Sequence, residues 1–454
     1  MPFAPHGGAK GICRGTELIF SSRGKGTVKK LKIKTMTASY EEVMRLPRAE
    51  HKNPSKPSFL LRTVIRIAGA ADLKDAEFTY SKDISRAGKG PYLILMNHSS
   101  FIDLEIVSKI FYPMPYNIVC TSDGFVGKEW LMRHIGCIPT QKFVNDVTLI
   151  RDIKYSLQKR KTSVLMYPEA SYSFDGTATP LPRKLGGFLK HLDVPVLFVR
   201  TYGAFLRDPL YNCLKKRKVK VSADVTCLFS AEEVRKYSKE TLEKKLDAAF
   251  TFDHFEWQQK NGIAIDEPFR ADGLERILFR CASCGEEGKM KGENSSVFCR
   301  ECGKRYFLNR FGKLEAEDGN TEFEHIPNWY QWQRRCVRSE IENGTYRLDT
   351  DVKIGIMVDF KAIYMVGKGH LTHDESGFHL TGCDGKLDYF QKPLASYGLY
   401  SDYYWYEIGD VICIGDKGCL YYCFPEKEGV VAKARIAAEE LYKIAKEKSG
   451  LLRV

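Results

Sequence analysis

The apolar run in "LILMNHSSFIDL" (93–104) ends in Asn97-His98, and Asp103 follows five residues after the histidine. A histidine paired with a carboxylate can act as a general base. The carboxylate decides which ring nitrogen carries the proton and stabilises the imidazolium that forms. Such a pair can draw the proton from a hydroxyl, a poor nucleophile at neutral pH. Spacing alone is weak evidence, because within one continuous helix residues five apart sit ~140° around the axis and cannot meet. A strand ending at Asn97 and a helix beginning near Phe101 would break that period. His98 would then stand at the carboxyl edge of a sheet, where open α/β sheets bind their ligands, with Asp103 reaching back from the first helical turn. Ser99 or Ser100 would cap that helix. The plain alternative is that His98 and Asp103 only cap a helix.

A second set of side chains could hold a metal. Cys281-Ala-Ser-Cys284-Gly and Cys299-Arg-Glu-Cys302-Gly are two C-x-x-C units separated by fourteen residues, each followed by glycine. Four thiolates at Cys281, Cys284, Cys299 and Cys302 can surround one tetrahedral ion, and each glycine permits the turn that aims backbone N–H groups at sulfur. The reading is a zinc ribbon over 276–312 with one structural zinc. The other cysteines are scattered singly, which fits a reducing compartment.

The elements that would carry these groups read as follows. "PYLILM" (91–96), "YNIVCT" (116–121), "SVLMYP" (163–168), "VPVLFVRTYG" (194–203) and "VKVSADVTCLF" (219–229) are short buried strands, and helical stretches such as 102–111 and 147–160 separate the first four. That alternation predicts an α/β domain with a mostly parallel sheet flanked by helices. Residues 231–275 open on a serine N-cap and run as a charged amphipathic helix. From about 325 to 425, short alternating strands with Gly/Asp turns predict a small antiparallel β barrel or sandwich, closed by a C-terminal helix over 429–448. In element order this resembles the pleckstrin-homology-like group. The expected division is a basic mobile arm (1–57), an α/β domain with an N-terminal amphipathic helix (58–275), the ribbon (276–312) and a β-rich domain (325–454).

Four blocks in order resemble the glycerolipid acyltransferases (PlsC-like), the group that includes the 1-acylglycerol-3-phosphate acyltransferases. "NHSSFID" is similar to their NH-x4-D motif, and "GKEWLMRHIGCIPTQK" (127–142) to their second block. "YPEASYS" (167–173) resembles their Phe-Pro-Glu-Gly-Thr-Arg-Ser block, and "VPVLFVRTYG" their Val-Pro strand. The resemblance spans roughly 85–230, about a third of the chain. It implies acyl transfer from an acyl-CoA or acyl carrier protein thioester to the hydroxyl of a lysophospholipid, giving phosphatidic acid from 1-acylglycerol-3-phosphate. His98 would be the base and Asp103 its orienting carboxylate. Asn97, Pro168, Glu169 and Ser171 would help bind or position the acceptor. Ala170, Ser171 and Tyr172 stand where the family has Gly, Thr and Arg, and Gln141-Lys142 where Asp-Arg is common. Lys142, with Arg183 and Lys184, would hold the acceptor's phosphate, and Arg200 is a further candidate. The missing arginine at Tyr172 leaves the acceptor open.

Composition bounds the rest. The chain has 454 residues, 43% apolar, with a net charge of +13. Residues 1–57 alone carry twelve Lys/Arg against four Asp/Glu, a net +8. That excess favours phosphate, nucleic acid or an anionic membrane surface without choosing among them. No run is long and apolar enough for a transmembrane helix, and the first residues lack the pattern of a signal peptide, with Met36 as an alternative start. "PSFLLRTVIRIAGAADL" (57–73) is an amphipathic helix with a basic edge. It either packs on the next domain or lies at a membrane interface. The aromatic clusters at 328–335 and 400–410 are either interfacial or barrel core. The expected location is cytoplasmic, peripheral at the inner face of the membrane, with no nucleic-acid partner. The competing reading is a zinc-ribbon nucleic-acid or protein-interaction module whose acyltransferase-like domain is inactive.

Overall fold

Regular structure begins earlier than a mobile arm over 1–57 would allow. The computed structural model describes residues 33–449 apart from Asn145, so the arm's first 32 residues lie outside the described chain. Thr35–Thr37 (β1) pairs in parallel with Ile363–Met365, and a helix at Tyr40–Arg45 follows, capped by the reciprocal Ser39/Glu42 box. Met36 therefore sits inside a strand. The reason is local: Ser-x-x-Glu satisfies two of the helix's free amides.

The apolar runs of the N-terminal half form one sheet. Its strands are β2 (Thr79–Asp83), β3 (Leu93–Met96), β4 (Tyr116–Thr121), β5 (Cys137–Thr140), β6 (Ser163–Met166), β7 (Val196–Tyr202) and β8 (Ser222–Phe229), in spatial order β2-β8-β7-β3-β6-β4-β5. Every neighbouring pair is parallel except β7–β8. β3 and β6 are buried at every residue because helices cover both faces, which is why they read as unbroken apolar runs. On one face pack Ile106, Val107, Ile110 and Phe111 of the helix Asp103–Phe111. On the other pack Leu157, Leu189, Leu242, Leu246 and Phe250. The exposed edge strand β2 and the short β5 carry too few apolar residues to be legible as strands in the sequence. The single helix expected over 231–275 is three helices, Ala231–Lys236, Lys239–Phe250 and His254–Lys260. Ser230, Ser238 and Asp253 restart the chain as N-caps.

The cysteine module is a four-stranded antiparallel sheet of β9 (Met290–Glu293), β10 (Ser296–Cys299), β11 (Arg305–Leu308) and β12 (Leu314–Ala316). After the helix Ile326–Glu342 come β13 (Leu348–Met357), β14 (Ile363–Asp374), β15 (Gly377–Gly382), β16 (Leu387–Gln391), β17 (Tyr400–Trp405), β18 (Gly409–Asp416) and β19 (Cys419–Pro425). Their order is β16-β15-β14-β13-β19-β18-β17, antiparallel throughout, with β1 added in parallel to β14. The sheet is antiparallel as expected, but it is not a closed barrel. β16 and β17 end the path and do not pair with each other among the described residues. The terminal helix Val430–Lys448 packs on β17, β18 and the helix Ile326–Glu342.

The β-rich part is not a separate appendage. One hydrophobic cluster runs from Phe174, Phe205 and Tyr211 in the α/β half, through Phe279 and Tyr306 of the ribbon region and Trp329, to Ile412 and Val431–Leu441. Trp329, Tyr330, Tyr403 and Trp405 are buried, so most of the aromatic clusters is core, while Tyr404 stands exposed. In contrast, the helix Phe59–Ala68 buries none of its residues, and Phe59, Leu60 and Ile67 stand exposed.

Candidate active site

Parallel register brings the site together. Leu95 lies beside Met166 on β6, and Met96 beside Val199 on β7. The residues that leave the ends of these strands therefore emerge side by side. The Asn97 side chain donates to Ser99 Oγ (2.8 Å) and Thr201 Oγ1 (3.0 Å) and accepts from the Thr201 amide (2.8 Å), tying the turn to β7. The His98 amide donates to Glu169 Oε2 at 2.9 Å.

Asp103 is the first residue of the helix Asp103–Phe111, and its Oδ2 lies 3.1 Å from His98 Nδ1. The same oxygen accepts the amides of Ser99 (3.0 Å) and Ser100 (3.2 Å). These amides hold Asp103 as a carboxylate acceptor, which assigns the ring proton to Nδ1 and leaves Nε2 as the basic nitrogen. The expected strand–turn–helix geometry is what is found, except that Asp103 itself closes the turn and the Ser100 hydroxyl bonds Asp208.

The imidazole lies between two phenol rings. Tyr167 stacks on it at 4.2 Å between centroids and Tyr172 at 3.9 Å; two rings at such distances occupy opposite faces. Phe101 packs on Tyr172 in turn, at 5.4 Å. Burial in this sandwich lowers the His98 pKa below its ordinary value, Asp103 pulls it back up, and Lys142 adds a smaller lowering. His98 is therefore neutral at pH 7 and ready to accept a proton.

Glu169 faces the protein with both oxygens. Oε2 takes the His98 amide, and Oε1 takes the Thr179 amide at 2.9 Å. Burial raises its pKa to about 7, against the pull of these two amides and of Arg435. It fastens the His98 turn to the loop after β6. Pro168 is buried beside it, and Ala170 takes the left-handed conformation, φ 56°, at the position where a glycine would be unstrained. Ser171 is buried and accepts Arg435 Nη2 at 2.7 Å, so its hydroxyl is already engaged.

The expected phosphate-holding residues separate. The Lys142 ammonium lies over the Tyr400 ring at 4.3 Å and acts electrostatically on both His98 and Asp402. Arg183 and Lys184 do not join it: Arg183 reaches Asp247 at 4.0 Å on the surface, and Lys184 is the exposed N-cap of the helix Leu185–Leu192. Arg200 bonds the Ala249 carbonyl and lies over Phe198 and Phe252, a packing role. Opposite Lys142, the β-rich domain contributes Asp402, whose pKa burial raises to about 6. Beneath it Tyr400 and Trp405 both donate to Asp123 Oδ2, at 2.5 and 3.1 Å. Tyr167 and Thr201 enter the site from within the quoted blocks, whereas Thr179, Tyr400, Asp402 and Arg435 lie outside them and have no local sequence signature.

The four cysteines of the ribbon meet as their spacing requires. The Sγ atoms of Cys281, Cys284, Cys299 and Cys302 all lie within 4.8 Å of one another, close enough to hold a metal ion. Gly285 and Gly303 adopt φ of 82° and 77° and donate to the carbonyls of Cys281 and Cys299. Backbone amides at Ser283, Cys284, Glu286 and Lys304 point at the sulfurs. This is a donor set for a thiolate-bound cation.

Residues 74–199 match the model of the acyltransferase family. Among solved structures, the crystal structure of the 1-acyl-sn-glycerophosphate (LPA) acyltransferase PlsC from Thermotoga maritima is similar at 18% identity. That match covers 41% of this chain and 79% of that one, with a TM-score of 0.29. No curated protein matches the chain.

Proposed function

We propose, from the premise of an acyltransferase-family domain at residues 74–199, that the protein moves a fatty acyl group from a thioester donor to the hydroxyl of a lysophospholipid. The donor is acyl-CoA or acyl carrier protein, and the acceptor 1-acylglycerol-3-phosphate, which gives phosphatidic acid. The observation that carries this is the neutral, half-buried His98, with Nδ1 held by Asp103 at 3.1 Å and Nε2 unclaimed by the protein among the described residues.

As the acceptor oxygen attacks the thioester carbonyl, its proton passes to His98 Nε2. The C–O bond forms, the C–S bond breaks, and the proton leaves with the thiolate as a thiol. Asp103 keeps the ring in its tautomer and stabilises the imidazolium with a fixed charge. Asn97 and Glu169 position the turn. Lys142 is the cation beside the histidine and meets the acceptor's phosphate as a point charge.

Among the described residues no helix is long and apolar enough to cross a membrane. Phe59, Leu60 and Ile67 with Arg62 and Arg66 fit peripheral attachment to an anionic leaflet, the cytoplasmic inner face. The four cysteines hold one zinc ion as a structural tie.

The test is conversion of labelled lysophosphatidic acid with acyl-CoA, alongside glycerol phosphate and lysoglycolipids as acceptors. Wild type should form phosphatidic acid and His98→Ala should not; equal rates for the two would overturn the mechanism.

A further inference from the structure

We infer that Arg435, on the terminal helix of the β-rich domain, is a positioning residue of the acyl-transfer site: it holds the Tyr167–Phe174 segment, and with it Glu169 and the Tyr172 ring, in place against His98. The inference rests on the acyl-transfer reading for its kinetic test, but the contacts stand independently of it.

Arg435 is 4% exposed. A guanidinium taken out of water persists only where its donors are matched. Nη2 donates to Ser171 Oγ at 2.7 Å and Nη1 to the Tyr172 carbonyl at 3.3 Å, and the fork lies over the Phe174 ring at 4.2 Å. Only Nε turns back to its own helix, to Glu439 at 3.4 Å. Glu439 also pairs with Arg334 at 2.7 Å, and Glu440 holds Arg334 from the other side at 3.0 Å. The two residues that Arg435 grips flank the site directly. Glu169, two positions before Ser171, holds the His98 amide, and the Tyr172 ring covers one face of the imidazole.

Residues 167–179 contain no lysine or arginine, and the positive charge that acts on Glu169 is Arg435, 266 residues away in the β-rich domain. The other groups facing Glu169 are the amides of His98 and Thr179. Those facing Arg435 are Glu439, Asp402 and the phenols Tyr330 and Tyr403. The two amides and the Thr179 hydroxyl do most to oppose protonation of Glu169, and removing the cation takes away a smaller contribution of the same sign, so that carboxyl's pKa rises.

The experiment uses the full chain with Arg435→Met, Arg435→Gln and Arg435→Lys. The control is Arg338→Met, because Arg338 ties the same two helices through Glu440 and Glu447 without touching the 171–174 segment. Hydrogen exchange of the 171–179 amides should quicken at least tenfold in the Met and Gln variants and stay near wild type in the Lys and Arg338→Met proteins. With lysophosphatidic acid and acyl-CoA, kcat at pH 7 should fall at least tenfold while KM stays within threefold, and the acid limb of the kcat profile should move to higher pH. Lysine should restore part of both. Folded Met and Gln variants with unchanged exchange and an unmoved acid limb would overturn the inference, as would Arg338→Met reproducing the whole effect. Wild type without acyl transfer would instead overturn the functional reading, and the exchange data would still decide the role of Arg435.

Discussion

Two of the regions that place histidine against aspartate, the rim of the β-rich domain and the edge of the α/β sheet, differ in what surrounds the pair. At the rim of the β-rich domain, His370 lies 2.9 Å from both Asp349 and Asp351, and His379 lies 2.7 Å from Asp388. At the sheet edge, His98 lies 3.1 Å from Asp103, the longest of these contacts. Distance is therefore not what distinguishes them. The rim pairs stand in water, with His370 and His379 43% and 44% exposed, where solvent and salt weaken a carboxylate's hold. Asp103 is 2% exposed and pinned by two backbone amides, and its imidazole is walled by two rings. Burial alone is no better. His254 and His373 are buried without a carboxylate bonded to the ring, and burial drives both pKa values down to about 3. A base that weak would take few protons. His98 combines the carboxylate with a ring stacked between two phenols.

This contrast can be broken by experiment. The largest effect should come from His98→Ala, with kcat/KM for acyl transfer falling by roughly 10²–10⁴, the usual contribution of a positioned base. His370→Ala and His379→Ala should leave it within twofold. Next, removing the metal with a chelator, or Cys281→Ser, should lower stability by several kcal/mol, about what structural thiolate sites contribute. Calorimetry would read this, and because the ribbon shares its core with Phe174 the α/β half should melt with it rather than survive. Asp103→Ala should cost stability as well as rate, about 1–3 kcal/mol from the two amides left without an acceptor. Asp388→Ala, at the rim, should leave the melting temperature unchanged.

A smaller effect follows from pH. Burial raises Glu105 to about 8 and Glu169 and Asp208 to about 7, far above their unfolded values. The folded protein therefore binds more protons than the unfolded chain across this window, so stability falls as pH rises. The buried histidines work the other way, but only below about 6.5, where the unfolded chain protonates them. Between pH 6.5 and 8 the thiols of a metal-bound ribbon would oppose the carboxyls, so the loss, on the order of 2 kcal/mol, should be read by denaturant titration of the metal-free protein. A flat or rising profile there would contradict the buried state of these carboxyls. The smallest change is Ala170→Gly, which relieves a left-handed alanine and should stabilise the protein by about 0.5–1 kcal/mol, net of the freedom glycine adds to the unfolded chain.

The sequence by itself determined what is local. The apolar runs at 93–96, 116–121 and 163–166 name their strands because a sheet covered on both faces needs side chains buried at every position. His98, Ser99, Ser100 and Asp103 meet within six residues, so the strand–turn–helix pattern suffices to bring them together. The cysteine knuckles are likewise short-range. Only the tertiary structure decided the rest. Glu169 serves the His98 turn because parallel register sets the ends of β3 and β6 side by side. Arg183 and Lys184 face the surface, while Lys142 meets Tyr400 and Asp402 from the β-rich domain. Arg435 bonds Ser171 across 264 residues. No period or spacing encodes such a pair; it follows from one hydrophobic cluster that draws ribbon, helix and β-sheet onto the α/β half and seats a buried cation where the loop offers its acceptors.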